Sequence, residues 1–242
     1  MKRLAIALIA TVVLAVPVVQ AAPVKKAAPA KRAAARPDWV HTVVRTPEGG
    51  VRMGNPAAKV KLIEYGARTC PTCATFTLNG APLLTKTYVA TGQVSYEYRD
   101  FPVHGAIDLA PILLGHCVPT RAFFPLLDAM MANQRALIGR HDQIPQAKQE
   151  ELQKMSPNAV AAYLGKFFGY TDFTVKAGLP IARANACLAD RKAVDAIAAQ
   201  TAAANKSYTI AGTPTFIVNG VVAEKVLDWA GLEPVLRAAG AK

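Results

Sequence analysis

Residues 62–73 read LIEYGARTCPTC. The apolar residues at the start of this stretch predict a short buried strand, and the two cysteines follow a tight connection at the start of a helix. A thiol at a helix N-terminus faces unpaired backbone N–H groups and the positive end of the helix dipole, and both favour the thiolate. The thiolate is the nucleophile, and a second thiol one turn along the helix can close a disulfide with the first. The stretch therefore predicts a redox site formed by Cys70 and Cys73.

Strand and helix patterns flank this stretch. Residues 41–54 contain a β-branched run, a Pro-Glu-Gly-Gly turn and a second apolar run, which predict two short strands. Residues 59–65 change from alternating to continuously apolar, as in a central strand, and residues 92–101 alternate strongly. The helical pattern after the cysteines is interrupted over residues 79–82 by Asn-Gly and a proline. This interruption predicts a kink or two helical pieces.

The character of the chain changes in its second half. Residues 105–206 are rich in Ala, Leu, Met and Gln at helical spacing, with little strand signal, which predicts an all-helical block. Strand character returns over residues 215–223, where an Asn-Gly pair supplies the positive φ angles of a tight hairpin turn. A last helix is predicted over residues 228–239, with an aspartate at its N-cap. This order indicates an α/β domain with a helical insertion.

The N-terminus has the layout of a secretory signal peptide. A basic start and an apolar run precede small residues around Ala21, so we assign residues 1–21 as a signal peptide that is cleaved. The alternative is a retained anchor, for which the apolar run is short, since a full span takes about 20 residues. Residues 22–38, rich in Ala, Pro, Lys and Arg, predict a linker. We therefore expect the protein in the periplasm, without stable membrane insertion.

The positive charge is concentrated at the N-terminus. The formal net charge is +12 at pH 7, but seven of the 28 Lys and Arg residues lie in residues 1–36, which contain no Asp or Glu. The rest of the chain lacks the interleaved aromatic and basic residues typical of nucleic-acid-binding proteins. We therefore expect no nucleic-acid partner.

The cysteine count bears on both redox and structural roles. The chain contains four cysteines, an even number that permits disulfides in an exported protein. Pairing Cys70 with Cys73 leaves Cys117 with Cys187. This second bond would close a loop of about 70 residues and contribute at most about 4 kcal/mol, so a structural disulfide is expected, with a redox role as the alternative. For Cys70 and Cys73 the alternatives are a structural disulfide or half of a zinc site, although no second ligand pair follows.

Several motifs in register resemble the DsbA-like family of thiol–disulfide oxidoreductases. Arg-Asp-Phe-Pro at residues 99–102 resembles a run that is common after the strand following the cysteines in this family. Gly-Thr-Pro-Thr-Phe at residues 212–216 matches the segment that holds the cis-proline of the fold. The remaining matches lie around the cysteine motif: Glu64, Phe76, Pro82 and Tyr88.

The resemblance implies a thioredoxin-like fold interrupted by an inserted all-helical domain. On that basis we expect three segments after the linker. Residues 39–104 would form the first part of the thioredoxin-like domain, residues 105–206 the helical insertion, and residues 207–242 the second part of the thioredoxin-like domain.

The resemblance also implies roles for individual residues. Cys70 would be the attacking, solvent-facing thiolate and Cys73 the buried resolving thiol. Glu64 would be a buried carboxylate that shuttles the proton of Cys73, the alternative being a strand-end glutamate paired with Lys or Arg. Pro214 would follow a cis peptide bond, and the backbone of Thr213 would pair with an extended substrate peptide.

The residues between the cysteines, Pro71 and Thr72, would tune the thiolate and face the substrate. Strongly oxidising relatives often carry His in place of Thr72, so we expect a milder oxidant here. The expected function is an exported oxidase that introduces disulfides into substrate proteins through a Cys70 mixed disulfide. The alternatives are a disulfide reductase or isomerase, and a non-catalytic peptide- or metal-binding module.

The implied partners are exported proteins with reduced or misoxidised cysteines. A DsbB-like membrane protein would reoxidise the dithiol. No cofactor and no bound metal are expected.

Overall fold

The computed structural model describes residues 37–242, so the predicted signal peptide and all but the last two residues of the predicted linker lie outside the described residues. A six-stranded sheet has the order β1-β2-β4-β3-β5-β6. Its strands are β1 Val43–Arg45, β2 Val51–Gly54, β3 Val60–Gly66, β4 Val94–Asp100, β5 Thr215–Val218 and β6 Val221–Val222.

The central strand of the sheet is β3, which leads into the cysteine motif. It pairs parallel with β4 and antiparallel with β5, and the other strand pairs are antiparallel. The carboxyl ends of β3 and β4 therefore meet at the same edge of the sheet. The cysteine motif begins at this edge, four residues after Gly66.

The helix after the cysteines is broken, as the sequence predicts. Helix α1 spans Pro71–Asn79, α2 spans Ala81–Leu84, and a π-helical turn covers Thr85–Val89. A Cβ atom at Gly80 would lie 2.6 Å from the ring of Phe76, so the break also needs a glycine.

Eight further helices lie between β4 and β5. They are α3 Ala106–Cys117, α4 Phe123–Ala132, α5 Gln134–Ile138, α6 Gln146–Leu152, α7 Pro157–Phe167, α8 Tyr170–Lys176, α9 Ile181–Leu188 and α10 Arg191–Tyr208. Two 3-10 turns, Thr120–Ala122 and His141–Gln143, complete this region. A thioredoxin-like fold with a helical insertion is thus confirmed.

The sheet and the insertion share helix α4. One face of α4 contributes Phe124 and Met131 to the core of the sheet, while the opposite face contributes Leu126 and Met130 to the core of the insertion. The end of α10 also packs on the sheet, where Ala204 joins a small apolar cluster. The insertion therefore packs against the sheet through buried side chains of α4 and of the end of α10, and the three-segment division remains a prediction.

The C-terminal part of the fold follows from local signals. Asn219 and Gly220 have φ angles of 50° and 85°, as the tight turn between β5 and β6 requires. The last helix, α11, spans Trp229–Ala238 with the Asp228 side chain accepting from the Gly231 N–H, and Pro234 is accommodated inside it. Among residues 37–242, no helix has the length and apolarity needed to cross a bilayer.

Candidate active site

Cys70 is the N-cap residue of α1. The turn from β3 is closed by a hydrogen bond from the Cys70 N–H to the Ala67 carbonyl (3.1 Å). Pro71 occupies the first helical position, where its missing N–H is not needed and its fixed φ angle suits the helix. The sequence therefore folds locally so that the Cys70 sulfur faces the open N-terminus of α1.

The two thiols of the motif are free and differ in their surroundings. Cys70 is 8% exposed, whereas Cys73 is fully buried. A hydrogen bond from the Cys73 side chain is the main effect that lowers the pKa of Cys70, to about 5, and it outweighs burial, which raises that pKa. The backbone N–H groups of Cys73 and Thr72 add to the lowering. The pKa of Cys73 is raised, first by burial and then by its hydrogen bond to Cys70.

The loop before β5 faces Cys70. The peptide bond between Thr213 and Pro214 is cis, and the Cys70 thiol donates to the Thr213 carbonyl oxygen over 3.2 Å. The structure therefore brings together Cys70, Cys73, Thr213 and Pro214 from two distant parts of the chain.

Glu64 lies on β3 and is fully buried. The Tyr96 hydroxyl donates to its Oε2 over 2.6 Å, while Oε1 has no hydrogen-bond partner among the described residues. Burial raises the pKa of Glu64 to about 8, against the opposing effect of the Tyr96 hydrogen bond. The charge of Glu64 contributes to the raised pKa of Cys73. The hydrogen-bond partner of this carboxyl group is therefore Tyr96, and not a Lys or Arg as in the alternative of a strand-end ion pair.

Comparison with known proteins identifies the family. A family model described as thioredoxin matches residues 46–238. The chain belongs to this family. The crystal structure of a protein-disulfide isomerase from Novosphingobium aromaticivorans is 30% identical, with a TM-score of 0.74, and the match covers 78% of this chain and 96% of that one.

Two more relatives of this thioredoxin-family chain extend the comparison. The structure of α-DsbA1 from Wolbachia pipientis has a TM-score of 0.61 at 21% identity, covering 78% of this chain and 89% of that one, and so shares the fold. A candidate protein-disulfide oxidoreductase of Rickettsia bellii is 29% identical over 73% of this chain. The chain spans about 60% of the length of that curated relative. The resemblance to the DsbA-like family is thus confirmed.

In this thioredoxin-family protein, a buried ion pair anchors the loop that immediately precedes the cysteines. The side chain of Arg68 is fully buried and donates to Asp100 through Nε (2.7 Å) and Nη2 (3.1 Å). His116 Nε2 lies 2.8 Å from the same carboxylate, and the Arg68 guanidinium lies 5.0 Å from the centre of the Phe123 ring. This role of Arg68 was missed in the sequence analysis. Asp100, in the Arg-Asp-Phe-Pro run, could have indicated it, because the parallel pairing of β3 and β4 places the end of β4 beside the cysteine motif.

Thr69 is fixed by the start of the insertion. Its hydroxyl donates to Asp108 Oδ1 over 2.7 Å, and His104 Nδ1 lies 2.6 Å from the same hydroxyl. The backbone N–H of His104 donates to Asp108 Oδ2 over 2.8 Å. Burial raises the pKa of Asp108, while the hydrogen bonds from Thr69 and His104 oppose that rise. The residue preceding Cys70 is thus held by α3.

The second cysteine pair lies in the insertion. A disulfide joins Cys117, at the end of α3, to Cys187 in α9, with their Cα atoms 6.1 Å apart. Both ring nitrogens of the neighbouring His116 have hydrogen-bond partners: Nδ1 contacts Arg45 and Nε2 contacts Asp100. Within residues 37–242, no group of three or more His, Cys, Asp or Glu side chains is arranged to hold a metal ion.

Proposed function

We propose that this protein is an exported thiol–disulfide oxidoreductase that introduces disulfides into substrate proteins through Cys70 and Cys73. The observation that carries the proposal is the contrast between the two thiols: the pKa of Cys70 is lowered to about 5, while that of Cys73 is raised. At neutral pH the contrast makes Cys70 the thiolate and Cys73 the protonated thiol. An exchange reaction needs this division between an attackable sulfur and a buried resolving one.

The proposed reaction begins from the oxidised Cys70–Cys73 pair. A substrate thiolate attacks the Cys70 sulfur, the bond between the two enzyme sulfurs breaks, and Cys73 leaves as a thiolate that takes up a proton. A second substrate thiolate then attacks the substrate sulfur of the mixed disulfide. This forms the substrate disulfide, releases the Cys70 thiolate and leaves two electrons on the enzyme as the dithiol.

Glu64 is the proposed source of the proton for Cys73. Because its pKa is raised to about 8 by burial, its carboxyl group is mostly protonated at pH 7. The Tyr96 hydrogen bond occupies Oε2, which leaves Oε1 as the oxygen available to exchange a proton. Glu64 therefore fits a general acid for the first step and a general base for its reverse.

The cis-proline loop is the proposed docking site for the substrate backbone. The Thr213 carbonyl already accepts from the Cys70 thiol, so a peptide placed along this loop lies beside the reacting sulfur. Pro214 has no N–H that would compete for the peptide. Pro71 and Thr72 are exposed at the other side of Cys70, where they would contact the substrate.

The thiolate of Cys70 bears on the direction of electron flow. The value of about 5 for its pKa lies between about 3.5 for DsbA and about 7 for thioredoxin. A more stable thiolate makes the disulfide a stronger oxidant, so we expect a potential between about −120 and −270 mV. This intermediate position, and the name of the Novosphingobium isomerase, favour isomerisation or reduction as the second candidate activity.

Export and reoxidation complete the proposal. The predicted signal peptide, residues 1–21, would direct the chain to the periplasm, where substrates would be exported proteins with reduced or misoxidised cysteines. A DsbB-like membrane protein would return the dithiol to the disulfide.

Measurement of the redox equilibrium against glutathione, combined with two activity assays, tests the proposal. An oxidase has a potential toward −120 mV and oxidises a reduced substrate protein in stoichiometric amounts. A potential near −270 mV, or repair of a scrambled disulfide protein without net oxidation, identifies the second candidate. Peptide binding without any exchange with glutathione would contradict both.

A further inference from the structure

Gln134, in the helical insertion, reaches the backbone of residues 68–70, the redox loop that leads into α1. It is the first residue of α5, directly after the short break that follows α4. Its buried side-chain amide donates through Nε2 to two backbone carbonyl oxygens, that of Arg68 over 3.0 Å and that of Cys70 over 2.9 Å. One amide group thus ties the Arg68–Thr69 peptide unit to the Cys70–Pro71 peptide unit.

These two carbonyl oxygens lie within two residues of the reacting sulfur. Each carries partial negative charge, and in a buried site such charge disfavours a nearby thiolate. The N–H donor of Gln134 offsets that charge. It also fixes the peptide planes that lead into α1, whose N–H groups at Thr72 and Cys73 favour the Cys70 thiolate.

We propose that Gln134 is a positioning residue that makes the Cys70–Cys73 disulfide more oxidising by holding the backbone of residues 68–70. The inference rests on the dithiol chemistry proposed above and adds to it a source of tuning. The helical insertion, through one buried amide, stabilises the thiolate of a site whose cysteines belong to another part of the chain.

The variant Gln134→Met tests this role because methionine has similar length and volume but no N–H donor. Loss of the donor destabilises the thiolate, and therefore the reduced form. We expect the equilibrium with glutathione to shift about tenfold toward the protein disulfide, which corresponds to about 30 mV toward a more negative potential. The thiolate absorbance of Cys70 should then appear about one pH unit higher than in the parent.

Thr174→Val is the matched control. Thr174 is also a fully buried polar residue of the insertion, and its hydroxyl donates to two backbone carbonyls, those of Tyr170 (2.8 Å) and Thr171 (2.9 Å), in its own helix. Both variants are expected to unfold at lower temperature than the parent. Only Gln134→Met should change the potential; an unchanged potential in the folded variant would overturn the inference.

A second variant, Gln134→Glu, covers the case in which Gln134→Met does not fold. Its carboxylate would face the same two carbonyl oxygens, so the equilibrium should shift in the same direction, and further at pH 8 than at pH 5. A potential equal to that of the parent at both pH values would refute the role of Gln134. A parent that exchanges no disulfide with glutathione would instead refute the proposed function.

Discussion

The two cysteine pairs of this protein differ in their bonding and in the side chains around them. Cys70 and Cys73 lie one helical turn apart at the sheet edge, as free thiols beside the cis-proline loop. Cys117 and Cys187 are 70 residues apart in sequence and are bonded between two helices of the insertion. One pair faces hydrogen-bond donors and a buried carboxyl group, whereas the other packs at the edge of the insertion core, with Cys117 buried and Cys187 partly exposed.

The difference shows that the chemistry of a thiol depends on what surrounds it in each charge state. Cys70 has donors that stabilise its thiolate, and Cys73 has Glu64 nearby to exchange a proton. For the second pair, bonding across the insertion removes chain entropy from the unfolded state, which is a structural contribution. The first pair is therefore proposed as reactive and the second as structural.

Replacement of Cys70, the proposed attacking residue, should have the largest effect. In Cys70→Ser, the hydroxyl is not ionised at neutral pH, so the rate of thiol–disulfide exchange should fall by roughly a thousand-fold or more. The rate is measured with a small fluorescent disulfide at pH 7. The double variant Cys117→Ala/Cys187→Ala is the control and should keep the parent rate. Exchange by Cys70→Ser within tenfold of the parent would remove the distinction between the pairs.

Removal of the second disulfide should reduce stability rather than activity. The double variant Cys117→Ala/Cys187→Ala should lose up to about 4 kcal/mol of unfolding free energy, because its unfolded state is no longer cross-linked. Urea denaturation with the Cys70–Cys73 pair oxidised in both proteins measures this difference. A shifted glutathione equilibrium in the double variant would show that the two pairs are coupled.

The buried carboxyl group beside the first pair should make stability depend on pH. The pKa of Glu64 is raised to about 8 in the folded protein, so between about pH 4.5 and pH 8 the folded state binds the proton that the unfolded state has lost. The unfolding free energy should fall by up to about 5 kcal/mol across this window as pH rises, because each pKa unit corresponds to about 1.4 kcal/mol, and it should level off above the window.

The measurement uses the oxidised protein, in which neither Cys70 nor Cys73 titrates. Glu64→Gln, which keeps the size and a hydrogen-bond acceptor for Tyr96, should remove most of this slope. An equal slope in parent and variant would assign the pH dependence to other groups.

The smallest expected effect comes from the residue between the cysteines. Thr72 is exposed, and Thr72→His would add a donor or positive charge near the Cys70 sulfur. A thiolate stabilised by about one pKa unit shifts the glutathione equilibrium about tenfold toward the dithiol, or about 30 mV toward a more positive potential. Thr75→His, at an exposed position one turn along α1, is the control and should leave the potential near that of the parent. A change in the opposite direction would contradict the electrostatic explanation.

Local patterns allowed several parts of the fold to be predicted. The broken helix over residues 79–82, the Asn-Gly turn and the Asp228 N-cap all depend on a few neighbouring residues, and the structure confirms them. Helical spacing does not decide burial, because Leu78 in α1 and Leu83 in α2 lie among buried apolar neighbours in sequence but are 47% and 45% exposed. A helix with several apolar faces does not itself decide which face meets the core.

The sequence by itself determined the position of the Cys-x-x-Cys motif, the strand and helix order and, through family resemblance, the segment that contains Pro214. Only the tertiary structure decided which side chains surround the thiols. Tyr96 reaches Glu64 because β4 lies parallel beside β3. Gln134 reaches the redox loop because α4 ends at Ala132, which places the first residue of α5 beside the backbone of residues 68–70. These contacts join residues more than 30 positions apart, so no local spacing encodes them. The physical reason is that a buried polar group must find its partner wherever packing places one.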